Sequence, residues 1–115
     1  MTVRILHNPR CSKSRATLAL LREHGIEPEI SLYLESPPSA PELKSILMKL
    51  GLRASQLLRT GETAYTDLGL DRQDFSEEHL IAAMSAHPEL IQRPIVLAGD
   101  RAAIGRPPES VLDIL

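Results

Sequence analysis

The chain of 115 residues contains a single cysteine, Cys11, which limits the redox chemistry that the protein can perform alone. One thiol excludes an intramolecular disulfide and a Cys-x-x-Cys redox pair. A redox role for Cys11 would therefore require a thiol from another molecule. A free, reactive cysteine suits a reducing compartment, so we expect a cytoplasmic protein.

Aromatic residues and net charge are also scarce. The chain has one Phe, two Tyr and no Trp, so the core must be built from aliphatic side chains. The formal net charge of −2 gives no general attraction to nucleic acid or to an anionic membrane. No apolar run approaches membrane-spanning length, and the first residues lack the basic and apolar segments of a signal peptide. We therefore expect no nucleic-acid partner and no membrane association.

The predicted elements up to residue 91 indicate an α/β protein. A buried strand is predicted at residues 3–6, a helix from Ser12 to Gly25, and a second strand at residues 29–34. A strand, a helix and a strand in this order form a βαβ unit with parallel strands. Short helices follow, at residues 39–50, 54–58 and 65–70, from residue 76 onward, and at residues 88–91.

The residues from 95 onward predict an antiparallel hairpin and a final helix. Its strands are residues 95–97 and 101–104, and the helix is residues 107–115. The whole order is that of a thioredoxin-like fold with a mixed four-stranded sheet. In that fold a reactive cysteine begins the first helix and a cis proline precedes the third strand, and Cys11 and Pro94 occupy these places. We expect one domain over residues 1–115, with a helical insertion at about residues 39–91.

Cys11 lies where the first strand has ended and the first helix begins. The first N–H groups of a helix lack intrahelical partners, and the helix dipole is positive at this end. Both effects favour the thiolate, and the same N–H groups can bind an oxyanion. A lone cysteine can also be a small buried hydrophobic residue, but such a cysteine is rarely flanked by Arg10, Lys13 and Arg15.

Two nearby side chains are candidates for stabilising the thiolate. His7 could hydrogen-bond the sulfur or supply positive charge, or it could have only a structural role. Ser14 could donate a hydrogen bond to the sulfur. The remaining histidines are predicted to be structural or exposed, and no cluster of metal ligands is evident, so we expect no bound metal.

Three arginines, Arg59, Arg93 and Arg106, each lie at the boundary of a predicted element. A guanidinium offers paired donors in a fixed fork, which suits a tetrahedral oxyanion. Taken singly, each of them is better interpreted as an ordinary solvated arginine. Only a thioredoxin-like fold would gather such boundary residues around the start of its first helix.

Five segments, in order along the chain, resemble the glutaredoxin-dependent arsenate reductases. They are HNPRCSKSR at residues 7–15, YLESPP at 33–38, LLR at 57–59, HPELIQRPIV at 87–96 and IGRPPESVL at 104–112. The cysteine loop and the RPIV segment together make the resemblance specific. The chain is most similar to the short chromosomal branch of the family, which lacks the C-terminal extension of the plasmid-borne reductases.

The resemblance implies a mechanism and its partners. The Cys11 thiolate would attack arsenate, glutathione as co-substrate would complete the reduction to arsenite, and glutaredoxin would clear the resulting mixed disulfide. By matching position, His7 and Ser14 would keep Cys11 ionised. We further expect a monomer without a bound cofactor. The resemblance assigns the oxyanion and the arsenic adduct to three arginines: Arg59, Arg93 and Arg106.

Two other functions stay open at the level of sequence. The fold and the cysteine loop also resemble the Spx-type transcription regulators, which bind RNA polymerase. Those proteins usually carry Cys-x-x-Cys, whereas Ser14 stands at the second position here, so that switch cannot form. The other alternative is a thiol-dependent oxidoreductase that uses glutathione with a different substrate, since arginines beside a thiolate would also accept a carboxylate or a phosphate.

Overall fold

The computed structural model describes residues 2–115, which form two compact units. The first unit combines residues 2–36 with Arg93–Leu115, and the second unit is Pro37–Gln92. The two segments of the first unit are thus separated in sequence by the whole of the second. The second unit lies close to the bounds expected for the helical insertion, and the expectation of a single domain stays a prediction.

The first unit contains a mixed four-stranded sheet. Its strands are β1 (Val3–Leu6), β2 (Glu29–Ser31), β3 (Ile95–Ala98) and β4 (Arg101–Ile104). Their order is β2-β1-β3-β4, with β1 parallel to β2 and antiparallel to β3, while β3 and β4 form the predicted antiparallel hairpin. The predicted α/β class and the mixed sheet are therefore confirmed.

One helix and one 3-10 helix complete the first unit. Helix α1 spans Ser12–Glu23 and the 3-10 helix spans Pro108–Ile114. Both contribute to one aliphatic core with the central strands, as the scarcity of aromatic residues predicted. The fully or nearly buried members of this core are Ile5, Leu18, Leu21, Val96, Ala98, Val111 and Ile114.

The last element is a 3-10 helix rather than the continuous helix predicted at residues 107–115. Its first turn is closed by a bond from Ser110 N to Pro107 O of 3.0 Å, which is the tighter 3-10 spacing. The same spacing recurs at its end, where Leu115 N donates to Leu112 O at 3.4 Å. The location of the element was predicted correctly and its helical type was not.

Strand β2 is shorter than the predicted strand at residues 29–34. The carbonyl of Leu32 accepts hydrogen bonds from Glu35 N and Ser36 N, both at 3.0 Å, so the chain turns directly after Ser31. Tyr33 is buried, with 1% of its surface exposed, whereas Leu32 and Leu34 are exposed. The alternation that resembled a strand therefore comes from a turn with one inward side chain.

The second unit is helical. Its helices are α2 (Ala40–Leu50), α3 (Ala54–Leu57), α4 (Thr63–Asp67) and α5 (Glu77–Ala86), followed by a 3-10 turn at Pro88–Leu90. Helix α2 begins as predicted, because Ser39 Oγ accepts a hydrogen bond from Glu42 N at 3.3 Å. No helix within residues 2–115 has both the length and the apolar character needed to cross a membrane.

Helix α4 lies earlier in the chain than the predicted helix at residues 65–70. Gly69 adopts a positive φ of 71°, and Leu70 N donates to Tyr65 O at 3.0 Å. This is the pattern of a glycine-terminated helix, in which the residues at the glycine lie outside the helix. The expected stop at Gly69 is therefore confirmed, whereas the helix starts at Thr63, two residues before the predicted start.

Candidate active site

Cys11 is the N-cap residue of α1. Its backbone is extended, with φ −95° and ψ 123°, and its carbonyl accepts the first hydrogen bond of the helix from Arg15 N at 3.0 Å. Its own N–H donates to Asn8 O at 3.0 Å. The side chain is nearly buried, with 8% of the residue exposed. The thiol is therefore placed at the helix end whose N–H groups and dipole favour an anion.

The loop before Cys11 is fixed by hydrogen bonds at successive positions. Asn8 Oδ1 accepts from Arg10 N at 3.0 Å, which forms a local turn. The Arg15 guanidinium reaches back from α1 and donates to Pro9 O at 2.9 Å. The loop conformation thus depends on both its own polar residues and the first turn of the helix.

His7 and Ser14 form a buried hydrogen bond of 2.6 Å between Nδ1 and Oγ. Ser14 Oγ also accepts a hydrogen bond from Asn8 N at 3.0 Å. Burial lowers the pKa of His7 below its ordinary value of 6.5, and the positive charges of Arg22 and Arg15 lower it further. At neutral pH the imidazole is therefore neutral, and its contribution is a hydrogen bond to Ser14 rather than a positive charge.

The hydroxyl of Ser14 has two alternative uses, which depend on the His7 tautomer. When Nδ1 carries the proton, it donates to Ser14 Oγ, and the hydroxyl hydrogen remains available for another acceptor. When Nδ1 lacks the proton, the hydroxyl donates to His7. Ser14 lies on the same helical face as Cys11, three positions along. The roles predicted for His7 and Ser14 toward the thiolate stay predictions.

The structure brings Arg106 to the thiol from the other end of the first unit. Its Nη2 donates to Cys11 Sγ at 3.8 Å, and its Nε donates to Arg93 O at 2.8 Å. The two bonds connect the end of β4, the segment before β3 and the start of α1.

The Arg93–Pro94 peptide bond is cis, as predicted. The Arg106–Pro107 bond is also cis, which was not predicted from the sequence.

Gly105 allows three segments to pack closely at this site. Its N–H donates to Pro94 O at 2.9 Å, and a Cβ at this position would meet Pro94 Cγ at 2.8 Å and Thr17 Oγ1 closer still. Thr17 is fully buried in α1, where its hydroxyl donates to Lys13 O at 2.8 Å. Neither Gly105 nor Thr17 was identified from the sequence. The signal available in the sequence is a glycine directly before the candidate arginine Arg106.

Arg59 belongs to the second unit. Its guanidinium donates to Glu62 Oε1 at 2.8 Å, with about a quarter of the side chain exposed. Its backbone N–H donates to Leu90 O at 2.7 Å, next to a bridge between Leu58 and Ile91. These contacts fix the orientation of Arg59 within its own unit. Its assignment to the oxyanion stays a prediction.

The site chemistry is that of a free thiol and guanidinium groups. Cys11 is a free cysteine. Within the described part of the chain, no group of histidine, cysteine and carboxylate side chains is placed to bind a metal ion. The groups that could hold a ligand here are the Arg106 guanidinium and the N–H groups at the start of α1, and both select an anion.

The sheet order, a cysteine at the N-cap position of the first helix and a cis proline before β3 define a thioredoxin-like protein. The model of the ArsC family matches residues 6–114. The arsenate reductase of Haemophilus influenzae is 54% identical over 116 residues, covering 100% of each chain. The YfgD protein of Escherichia coli K12 is 54% identical over 114 residues, covering 98% of this chain and 96% of that one.

A solved structure agrees with these relatives. The arsenate reductase of Vibrio cholerae superposes with a TM-score of 0.97 at 50% identity, covering 100% of this chain and 98% of the other. The chain belongs to the ArsC family, and the resemblance drawn from its five segments is confirmed.

Proposed function

We propose that this chain is an arsenate reductase in which Cys11 is the nucleophile. One observation carries the proposal: the guanidinium of Arg106 lies 3.8 Å from the sulfur of Cys11, and Cys11 is the N-cap residue of α1. A cation and free helix N–H groups stabilise both a thiolate and an approaching oxyanion. Membership of the ArsC family and the names of full-length relatives support arsenate as that oxyanion.

In the first step the Cys11 thiolate attacks the arsenic atom of arsenate. An S–As bond forms, one oxygen leaves as water after protonation, and a thiol–arsenate ester remains. Arg106 and the N–H groups of α1 donate to the oxygens that carry the charge of this adduct. Arg93, whose carbonyl is already bonded to Arg106, and Arg59 supply the other two guanidinium groups in this proposal.

In the second step glutathione reduces the adduct. Its thiolate attacks the Cys11 sulfur, an S–S bond forms, and the S–As bond breaks with its electron pair on arsenic. Arsenic passes from As(V) to As(III) and leaves as arsenite after proton uptake. Glutaredoxin then attacks the glutathionyl sulfur and releases the Cys11 thiolate. External thiols are required because the chain has a single cysteine.

Three further points belong to this proposal. Every electron in the scheme comes from a thiol, so glutathione acts as a co-substrate and no bound cofactor is invoked. Cys11 works in a reducing compartment, which we propose to be the cytoplasm. All groups named in the scheme come from one chain, so we propose that the active form is a monomer.

The test is arsenate reduction with glutathione, glutaredoxin and an NADPH-linked recycling system. We expect turnover by the wild type, loss of turnover in Cys11→Ser, and loss of turnover when either glutathione or glutaredoxin is omitted. A wild type no faster than Cys11→Ser would overturn the reductase proposal. Turnover that persists without glutaredoxin would retain the reductase and overturn the proposed route of regeneration.

A further inference from the structure

A groove of about 270 Å³ lies beside the cysteine loop in the first unit. One wall is the loop at residues 7–10. The other wall is the turn after β2, through Leu32, Leu34 and Glu35. The mechanism described above uses neither the turn nor the groove itself.

The groove is connected to the thiol through the backbone. The wall residue Asn8 accepts the hydrogen bond from Cys11 N–H at 3.0 Å, and Arg10 is the residue directly before Cys11. The two walls are joined by a hydrogen bond of 2.9 Å from His7 N to Ser31 O, which continues the pairing of β1 with β2. A ligand in the groove therefore lies against the loop that leads directly into Cys11.

Both walls are fixed before any ligand arrives. The loop wall is held by the bonds to Asn8 Oδ1 and Pro9 O, and the turn wall by the paired bonds to Leu32 O. A preformed groove binds a small flexible ligand at a lower entropic cost than a mobile one. A rigid groove therefore suits a small molecule better than a flexible surface that would have to rearrange around the ligand.

The chemistry of the groove combines apolar surface with two opposite charges. Leu32 and Leu34 are 37% and 42% exposed, so both present apolar surface at the groove. Arg10 and Glu35 are exposed charged residues of the same groove, and within residues 2–115 neither side chain takes part in an ion pair. Two unpaired opposite charges in one groove match a ligand that carries both signs.

We propose that this groove binds glutathione and directs its sulfur to Cys11. The inference rests on the proposed function, which requires a glutathionyl sulfur at Cys11. Glutathione carries two carboxylates and one ammonium group around a short apolar centre. In this assignment Arg10 binds a carboxylate, Glu35 binds the ammonium group, and the two leucines contact the cysteinyl methylene.

The test separates recognition of glutathione from the reactivity of the thiol. The Cys11 thiolate attacks one sulfur of glutathione disulfide, a new S–S bond forms, the old one breaks, and one glutathione thiolate leaves. The same protein is treated with bis(2-hydroxyethyl) disulfide, which has no charges. The measured quantity is the ratio of the two second-order rate constants.

We expect Arg10→Gln to lower this ratio by about three- to tenfold, the range for losing an exposed or partly exposed charge-assisted bond. Any effect of Arg10 on the thiol itself changes both rate constants and cancels in the ratio. Arg72→Gln, at an exposed position of the second unit, is the matched control and should leave the ratio unchanged. Equal slowing with both disulfides in Arg10→Gln would overturn the proposal.

Glu35→Gln distinguishes binding from long-range attraction. Glutathione disulfide carries more carboxylates than ammonium groups, so removing a negative charge from the protein should speed its approach if only the net charge matters. If Glu35 binds the ammonium group, the same substitution lowers the ratio by about threefold. An increased ratio in Glu35→Gln would overturn the assignment, and Glu23→Gln is the control for the change in net charge.

A second measurement needs no reaction. In ¹⁵N-labelled Cys11→Ser protein, reduced glutathione should shift the amide resonances of His7, Asn8 and Arg10 and of residues 32–35. Shifts confined to residues 93–106 would overturn the proposal. So would an Arg10→Gln protein that glutaredoxin regenerates more slowly but that reacts with the two disulfides in the wild-type ratio. None of these assays contains arsenate. A wild type that reduces arsenate but shows no selectivity for glutathione disulfide would overturn only the groove proposal. A wild type that shows this selectivity but does not reduce arsenate would overturn only the reductase proposal.

Discussion

The guanidinium of Arg106 joins the Cys11 sulfur to the carbonyl of Arg93, at 3.8 Å and 2.8 Å. Cys11 and Arg106 are 95 positions apart in sequence. One side chain thus connects the beginning of α1 with the segment before β3. Because Arg106 is exposed, it can contact a ligand while it holds these two partners.

We expect Arg106→Gln to lower kcat/KM for arsenate by about tenfold or more, the scale of one lost charge-assisted hydrogen bond. Arg106→Lys should recover only part of the loss, because an ammonium keeps the charge without the paired donors of the guanidinium. Steady-state kinetics with saturating glutathione measures the effect. An Arg106→Gln protein with wild-type kcat/KM would remove Arg106 from the oxyanion site.

Ser14→Ala should destabilise the protein by about 1–3 kcal/mol. The substitution removes the partner of His7 Nδ1 and of Asn8 N–H in a buried place, so both polar groups lose a hydrogen bond. The free energy of unfolding from urea titration gives the cost. Ser12→Ala, at an exposed position of the same helix turn, is the control, and an equal cost in both variants would contradict the role of the buried bond.

Gly105→Ala should cost about 1–3 kcal/mol through overpacking, because the added Cβ meets Pro94 and Thr17. Gly61→Ala is the matched control, since nothing lies within 4 Å of a Cβ there and its backbone is not in the left-handed region. Adding Thr17→Ala to Gly105→Ala should relieve part of the cost. Strict additivity of the two substitutions in urea unfolding would show that the predicted contact does not form.

The stability of the wild type should fall as the pH is lowered below the ordinary histidine pKa of 6.5. The pKa of His7 is lower in the folded state, so the unfolded chain binds more protons in this range, and the free energy of unfolding rises with pH. The contribution of His7 to stability is complete above about pH 6.5, and it is lost as the pH falls toward the lowered pKa of the folded state. His7→Gln should flatten this part of the curve, with His79→Gln as the control, and an unchanged slope would contradict the shift.

Local sequence signals predicted the parts of the fold that depend on neighbouring residues. Helix α2 begins after Ser39, because the Ser39 side chain accepts a hydrogen bond at the N-terminus. It ends before Gly51, because Gly51 adopts a left-handed conformation at the C-terminus. The hairpin and the start of α1 at Cys11 follow from equally local patterns. The end of β2 was missed because the buried Tyr33 keeps a two-residue alternation through a turn.

The candidate site was predictable in its residue types and not in its contacts. Cys11 and Pro94 were identified by their places in the element order. The bond from Arg106 to Arg93 O and the packing of Thr17 against Gly105 depend on segments far apart in the chain, and no local periodicity reports them. The neutral state of His7 likewise follows from its burial, which a single position in a sequence does not reveal.

The discontinuous first unit has a consequence for synthesis on the ribosome. Cys11 emerges early, but β3, β4 and Arg106 follow only after residues 37–92 have been made. The second unit is continuous in sequence and can therefore fold as it emerges, whereas the first must wait for its own second segment. The nascent thiol thus remains without its guanidinium partner at least until Arg106 has been synthesised and has left the ribosome, so the nucleophile is assembled only after the whole second unit has been made.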